Sequence, residues 1–291
     1  MESQGGVPIP LLIVDAHVHI HDCYDLPGFL RAAFSNFLRA AREAGRGGSH
    51  IPVLLLAEGR KQRAFQRISD EMKRGTDRIA EDESGIYRAF PTEEPESIRI
   101  ERPDGAFLVL ISGRQIVTAE RLEVLALSAV SGIPDGLSLE EAVAAVEKAG
   151  AIPVIPWGFG KWIGRRGAVL GRFLKHVTRP GIFLGDNGGR PAFLPEPPQF
   201  SLGRERGIRI LPGSDPLPFP SETGRPGSFG FTLRCSIDPC RPAIGIRETL
   251  FDPASMPEPY GRLETPLRFL QNQIAMQVTK FLKQDRSRET T

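Results

Sequence analysis

The chain has 291 residues, 40% apolar and 25% charged, with 37 basic against 35 acidic side chains for a formal charge of +2. That balance excludes a disordered, coiled-coil or fibrous chain and gives no strong nucleic-acid signal. Three cysteines are too few to staple a chain of this length and no apolar stretch is long enough for a membrane span, so a reducing, cytoplasmic setting is expected, with the oligomeric state open.

Leu11 to Val14 form an apolar run that leads into polar residues, which predicts a buried strand whose C-terminal end opens on a site. The spacing of Leu30, Ala33, Phe34, Phe37 and Leu38 predicts a helix ended by the Gly45 to Ser49 cluster. Ile51 to Ala57 reads as a second buried strand, and the charged residues 75 to 96 as an exposed excursion. Pro103-Asp104-Gly105 is a turn between strands at Ser97 to Arg102 and Ala106 to Ile111, and Leu122 to Leu127 is a further strand.

Ser138, with Glu141 three residues on, predicts a capped helix ended by Gly150. Strands at about Ile152 to Ile155, Gly181 to Gly185 and Ile208 to Leu211 alternate with helices near Arg165 to Val177 and before Gly207, which implies parallel pairing with right-handed crossovers. Residues 212 to 226 carry five prolines and read as an irregular loop. Leu263 to Lys283 predicts an amphipathic helix with Leu267, Leu270, Ile274, Val278 and Phe281 on its apolar face, closing the fold or meeting a partner. The expected organisation is one α/β domain over 1–291, with an insertion at about 75–114 and a C-terminal helix at about 263–284.

Alternate side chains of a strand share a face, so Asp15, His17 and His19 are expected to project together. Imidazole nitrogen and carboxylate oxygen are common donors to zinc, manganese and iron, and two histidines at this spacing hold one ion or divide between two. Three further acids, Glu58, Asp186 and Asp215, follow apolar runs, where barrel chemistry gathers, and Glu123 begins one. Glu58 reads as a ligand or proton acceptor, or as an exposed loop acid; Glu123 as a metal ligand or half of a buried salt bridge. Asp215 reads as a ligand that also takes a proton from water, or as an Asx turn before Pro216; Asp186 as a ligand or a turn residue. Between Gly158 and Gly167, glycines let backbone amides approach an anion while Lys161, Arg165 and Arg166 neutralise it, which implies a small anionic substrate; a flexible basic loop is the plain alternative.

Val14-Asp15-Ala16-His17-Val18-His19, Arg121-Leu122-Glu123-Val124, the stretch from Gly136 to Val154 and Pro212-Gly213-Ser214-Asp215 resemble, in order, motifs of the PHP family, the polymerase and histidinol phosphatase metallohydrolases, which are similar to the amidohydrolases. The resemblance covers about residues 11 to 230. It implies a distorted TIM-like (β/α)7–8 barrel with one or two divalent ions (Zn, Mn or Fe) on His17, His19, Glu123 and Asp215. The implied activity is phosphoester hydrolysis by a metal-activated water, with C–N bond hydrolysis or a non-catalytic PHP-like binding protein as alternatives. Three positions depart from the family. Ala57-Glu58-Gly59 stands for its Asp-His, Pro156-Trp157-Gly158 for its His-Pro, and Pro216 for a His that often follows Gly-Ser-Asp. With five histidines in the chain, a reduced site on His17, His19 and carboxylates is expected.

Overall fold

A computed structural model describes residues 10–45, 50–129, 132–177 and 181–289, with side chains to residue 278. The Gly45 to Ser49 cluster beyond Gly45 and the side chain of Phe281 lie outside them. In chain order the elements are β1 (Leu11–Val18), α1 (Leu26–Glu43), β2 (His50–Leu56), α2 (Ala64–Lys73), β3 (Arg78–Asp82), β4 (Gly85–Pro91), β5 (Ser97–Glu101), β6 (Phe107–Ile111), β7 (Gly113–Val117) and β8 (Glu123–Leu127). Then follow α3 (Leu139–Lys148), β9 (Ile152–Pro156), α4 (Gly164–His176), β10 (Phe183–Asn187), α5 (Pro198–Glu205), β11 (Ile210–Gly213), β12 (Phe229–Arg234), α6 (Pro242–Phe251), β13 (Glu258–Gly261) and α7 (Pro266–Glu289).

The fold is mixed α/β, with strands in two sheets of order β13-β12-β1-β2-β6-β5-β4-β3 and β11-β10-β9-β8-β7. β1, β2 and β6 pair in parallel, as do β9, β10 and β11. The parallel pairing expected of the strands near 152, 183 and 210 is present. β7 and β8 are antiparallel to their neighbours and break the alternation.

No continuous ladder among the described residues closes these strands into the expected (β/α)7–8 barrel. The outer edge of β1 is occupied by β12, which pairs with Leu11 to Val14, so β11 approaches β1 only beyond that segment. On the other side, among the described residues, the sheets meet through the isolated bridge Glu58–Arg114.

Residues 75 to 96 are not an exposed excursion. They form β3 and β4, which extend the first sheet, and Tyr87 and Ala89 alternate into the core beside Ile98 and Ile100. Leu11 and Ile13 pack against α1 in one core; Leu12, Val14 and Ala16 face the second sheet in another; α3, α4 and α5 cover the far side of that sheet in a third. The capping box of Ser138 and Glu141 starts α3 one residue on. The predicted C-terminal helix is present as α7, but Leu267, Leu270, Ile274 and Val278 face solvent instead of closing the fold. No described helix is long and apolar enough to cross a membrane.

Candidate metal centre

The parity of β1 changes just before the site. Pairing with β2 shifts register between Asp15 and Val18, and Val18 falls in the α1-side core although Ala16 faces the second sheet. A bulge of this kind re-aims the side chains that follow it. His17 and His19 therefore turn between the sheets, while Asp15 does not join them. Its carboxylate accepts the amides of Ser214 and Gly227 at 2.8 Å each and of His17 at 3.3 Å. Burial pushes Asp15 up to about 7 against these bonds. Asp15 is a tie between β1 and the ends of β11 and β12, and the predicted three-residue face is replaced by a different third member.

That member is Asp215. Its Oδ1 stands 3.5 Å from His17 Nε2 and 3.4 Å from His19 Nε2, and the two nitrogens are 3.1 Å apart. Both imidazoles are buried. Asp215 is brought there by Gly213, since a β-carbon at that glycine would lie 2.3 Å from the His17 amide nitrogen. Its own backbone sits at φ 44°, an uncommon conformation for a residue other than glycine, and its amide donates to the His17 carbonyl at 2.8 Å. The Asn187 side-chain amide donates to Oδ2 and leaves Oδ1 facing the imidazoles.

Burial alone would raise the Asp215 carboxyl, but His17, His19 and Lys161 hold it well below the usual carboxylate range. Its ionised Oδ1, facing two imidazole nitrogens, makes Asp215 a candidate ligand.

The tautomers follow from the surrounding bonds. Gln62 Oε1 accepts the Gly59 amide at 2.7 Å, so the His19 Nδ1 that lies 3.1 Å from the same oxygen is the protonated nitrogen. His19 Nε2 is thereby the nitrogen turned toward His17 and Asp215, and against burial the Asp215 carboxylate and Gln62 raise the His19 pKa. Gln62 Nε2 donates to His21 Nδ1 at 2.9 Å, and His21 Nε2 donates to the Pro216 carbonyl at 3.1 Å. His21 thus has both nitrogens engaged, and burial pushes it down to about 4. Gln115 Oε1 lies 3.3 Å from His17 Nε2 and completes the ring of neighbours.

The other predicted residues have partners of their own. Glu123 is ion-paired with Lys161; β8 runs antiparallel, so this first residue of the strand lies at the site end of the sheet. Asp186 faces away from Asn187, as successive strand residues do, and takes a two-pronged bond from Arg190 at 2.7 and 2.8 Å. Glu58 Oε1 caps the start of α2 through the Phe65 amide at 2.9 Å. Arg166 donates to the Gly160 carbonyl at 2.7 Å and pins the loop, while Arg165 is exposed on α4. Lys161 remains beside the site, its stem folded over Gly158. Gln62 and Gln115 carried no sequence signal. Asn187 had a weak one, as it follows Asp186 at the end of an apolar run.

The donor set fits one transition-metal ion. Atoms bound tetrahedrally at about 2.0–2.1 Å stand roughly 3.3–3.4 Å from one another, and the three edges here are 3.1, 3.4 and 3.5 Å. Among the described residues, His17, His19 and Asp215 are the group close enough to share an ion. Two imidazoles and a carboxylate are the donors expected for zinc or iron in a site with an open position.

No family model and no curated protein sequence matches the chain. Among solved structures it is similar in fold to PsfC from Pseudomonas syringae, with a TM-score of 0.53 and 16% identity over 93% of this chain and 99% of that one. Weaker likenesses, at TM-scores of 0.42 and 0.47, are to a Bacteroides vulgatus two-domain protein containing a predicted PHP-like metal-dependent phosphoesterase and to the lesion-specific endonuclease PfuEndoQ from Pyrococcus furiosus. Identities there are 14% and 11%, over 87% and 85% of this chain and 65% and 57% of those chains.

Proposed function

We propose that this protein is a metal-dependent hydrolase that holds one divalent transition-metal ion on His17, His19 and Asp215 and cleaves a phosphoester. The observation that carries the reading is the triangle of two Nε2 atoms and one Oδ1, drawn from strands almost two hundred residues apart in the chain. Among the described residues these three donors are the group close enough to share an ion, which favours one ion over two.

When bound, the ion supplies Lewis acidity, which polarises an ester oxygen and lowers the pKa of water. The chain's own part is positional. Gln62 keeps His19 Nε2 turned inward, and Asn187 keeps Asp215 in place. Lys161, held by Glu123 at the rim, receives the phosphate of the ester. A cation there favours an anionic ester over a neutral amide, so phosphoester cleavage ranks ahead of C–N bond hydrolysis.

Elemental analysis of protein grown with zinc, manganese and iron tests the reading, followed by a phosphoesterase panel on the loaded protein. About one metal per chain is expected, and His17→Ala with His19→Ala should lose both metal and turnover. Wild-type metal content in that double variant would reject the assignment. A protein that holds metal yet cleaves neither a phosphoester nor an amide would leave only the non-catalytic binding role.

A further inference from the structure

α7 carries its apolar stripe on the outside. Leu267, Leu270, Ile274 and Val278 are 52–68% exposed, whereas Asn272 and Met276, on the opposite side of the helix, line a cavity that reaches Asp215. The helix is fixed at its start. Phe269 is buried between the rings of Phe159 and Phe193, and Arg268 pairs with Glu222 at 3.0 Å. Docking of α7 on its own chain thus uses none of the stripe, which is left for another surface.

The spacing of the stripe identifies that surface. Its steps of three, four and four residues are close to the 3.5-residue repeat of a seam between two helices. The order is also the same in both directions. Counting from Ile274, Gln271 and Gln277 stand three residues before and after, Leu270 and Val278 four, and in sequence Leu267 and Phe281 seven. An isologous contact must be self-complementary, with residue i meeting j while j meets i, and a helix of this symmetry satisfies that condition when it lies antiparallel on its own copy. Ile274 then faces Ile274 and Leu270 faces Val278. Gln271 comes beside Gln277, where each carboxamide both donates and accepts. Between Arg268 and Lys280 the helix has no charged residue, so the stripe specifies neither an ionic partner nor an anionic lipid surface, and nothing along it repels a second copy.

The area is sufficient. Phe159 and Phe193 are 54% and 55% exposed beside the start of the stripe. With its four residues they present roughly 600 Å² of apolar surface, at about 100 Å² for each half-exposed side chain. A stable interface takes about 800 Å² from each partner, and about 65% of it is apolar in homodimers. The patch therefore supplies the apolar share of one side. We propose that this face of α7, with Phe159 and Phe193, is the interface of a homodimer in which the α7 helices of two copies pair antiparallel about a two-fold axis at Ile274.

Sedimentation equilibrium of the full chain tests the proposal. A mass of twice 32.0 kDa is expected at micromolar concentration. Leu270→Glu alone and Val278→Arg alone should each weaken self-association at least tenfold, because each removes an apolar contact and buries a charge without a partner. Both substitutions in one chain should strengthen association at least tenfold over either alone. Antiparallel pairing sets the introduced carboxylate against the introduced guanidinium of the other copy, whereas a parallel pair would set like charges together. Positions eight residues apart are not neighbours on one helix, so the recovery cannot come from within a chain. A monomer at every concentration overturns the proposal, and so does a dimer that the single variants leave undisturbed. A double variant as weak as the single ones overturns the antiparallel register. A monomeric wild type that floats with phosphatidylcholine vesicles assigns the stripe to a lipid surface instead.

Discussion

Gly213 packs against the backbone of His17 so closely that any side chain at 213 collides with it, the nearest atom being 2.3 Å from an ideal β-carbon. Two residues later the Asp215 amide donates to the His17 carbonyl at 2.8 Å. The absence of a β-carbon at one glycine therefore sets the distance between a carboxylate on one sheet and two imidazoles on the other. Gly213→Ala is expected to push β11 off β1 and cost about 1–3 kcal/mol of stability, as overpacking does. Metal affinity should fall more than tenfold, because a ligand displaced by even half an ångström leaves the triangle. Thermal melts with and without metal, together with a zinc titration, measure both effects. Wild-type affinity in this variant would detach Asp215 from the ion.

Asp15→Asn tests the tie beneath the site. Two carboxylate oxygens serve three backbone amides, and a carboxamide offers one oxygen and turns its NH2 toward another donor. At least one buried amide then loses its acceptor, at a cost of about 1–3 kcal/mol. The melting temperature of the metal-free protein should drop by several degrees, at about 2–4 °C per kcal/mol for a chain of this size. An unchanged melting temperature would remove Asp15 from any structural role.

The strands and their apolar faces were legible because burial writes period-two and period-3.6 patterns into the chain, as in β1, α1 and α3. The two histidines and Asp215 were legible because each follows an apolar run. Asp15 was misplaced because a bulge between Asp15 and Val18 has no compositional signature and reverses the face of every later residue. Asp186 met the same sequence criterion as Asp215 and Glu123 stood at the start of its apolar segment; the partners of Glu123 and Asp186, Lys161 and Arg190, are fixed only by the fold. Gln62 lies in a short polar stretch with no pattern, so only the assembled site gives it a role.

Gln62 is expected to matter through tautomers. Its oxygen keeps the proton of His19 on Nδ1, so Gln62→Leu frees that imidazole to rotate and to carry its proton on Nε2. Loss of such an outer partner typically lowers metal affinity 10–100-fold. Gln62→Glu keeps the acceptor for His19 and loses the donor to His21, so it should recover most of the affinity. Competition with a colorimetric zinc chelator orders the three proteins. A leucine variant that binds as tightly as wild type would show that the ring is held by packing alone.

Lys161 and Glu123 separate stability from anion binding. Lys161 is about a third exposed and Glu123 is nearly buried, so the carboxylate depends on the ammonium more than the reverse. Lys161→Met should therefore leave Glu123 unpaired and cost about 1–3 kcal/mol, and adding Glu123→Gln should return much of that loss. Phosphate binding should not return with it. Inorganic phosphate, tested as a product inhibitor of the metal-loaded protein, should bind roughly tenfold or more weakly in Lys161→Met and in the double variant alike. The two readings of Lys161 thus diverge in a single pair of proteins. If it only neutralises Glu123, the double variant regains wild-type phosphate affinity along with its stability; if it also receives the phosphate, the affinity stays low when the stability is restored.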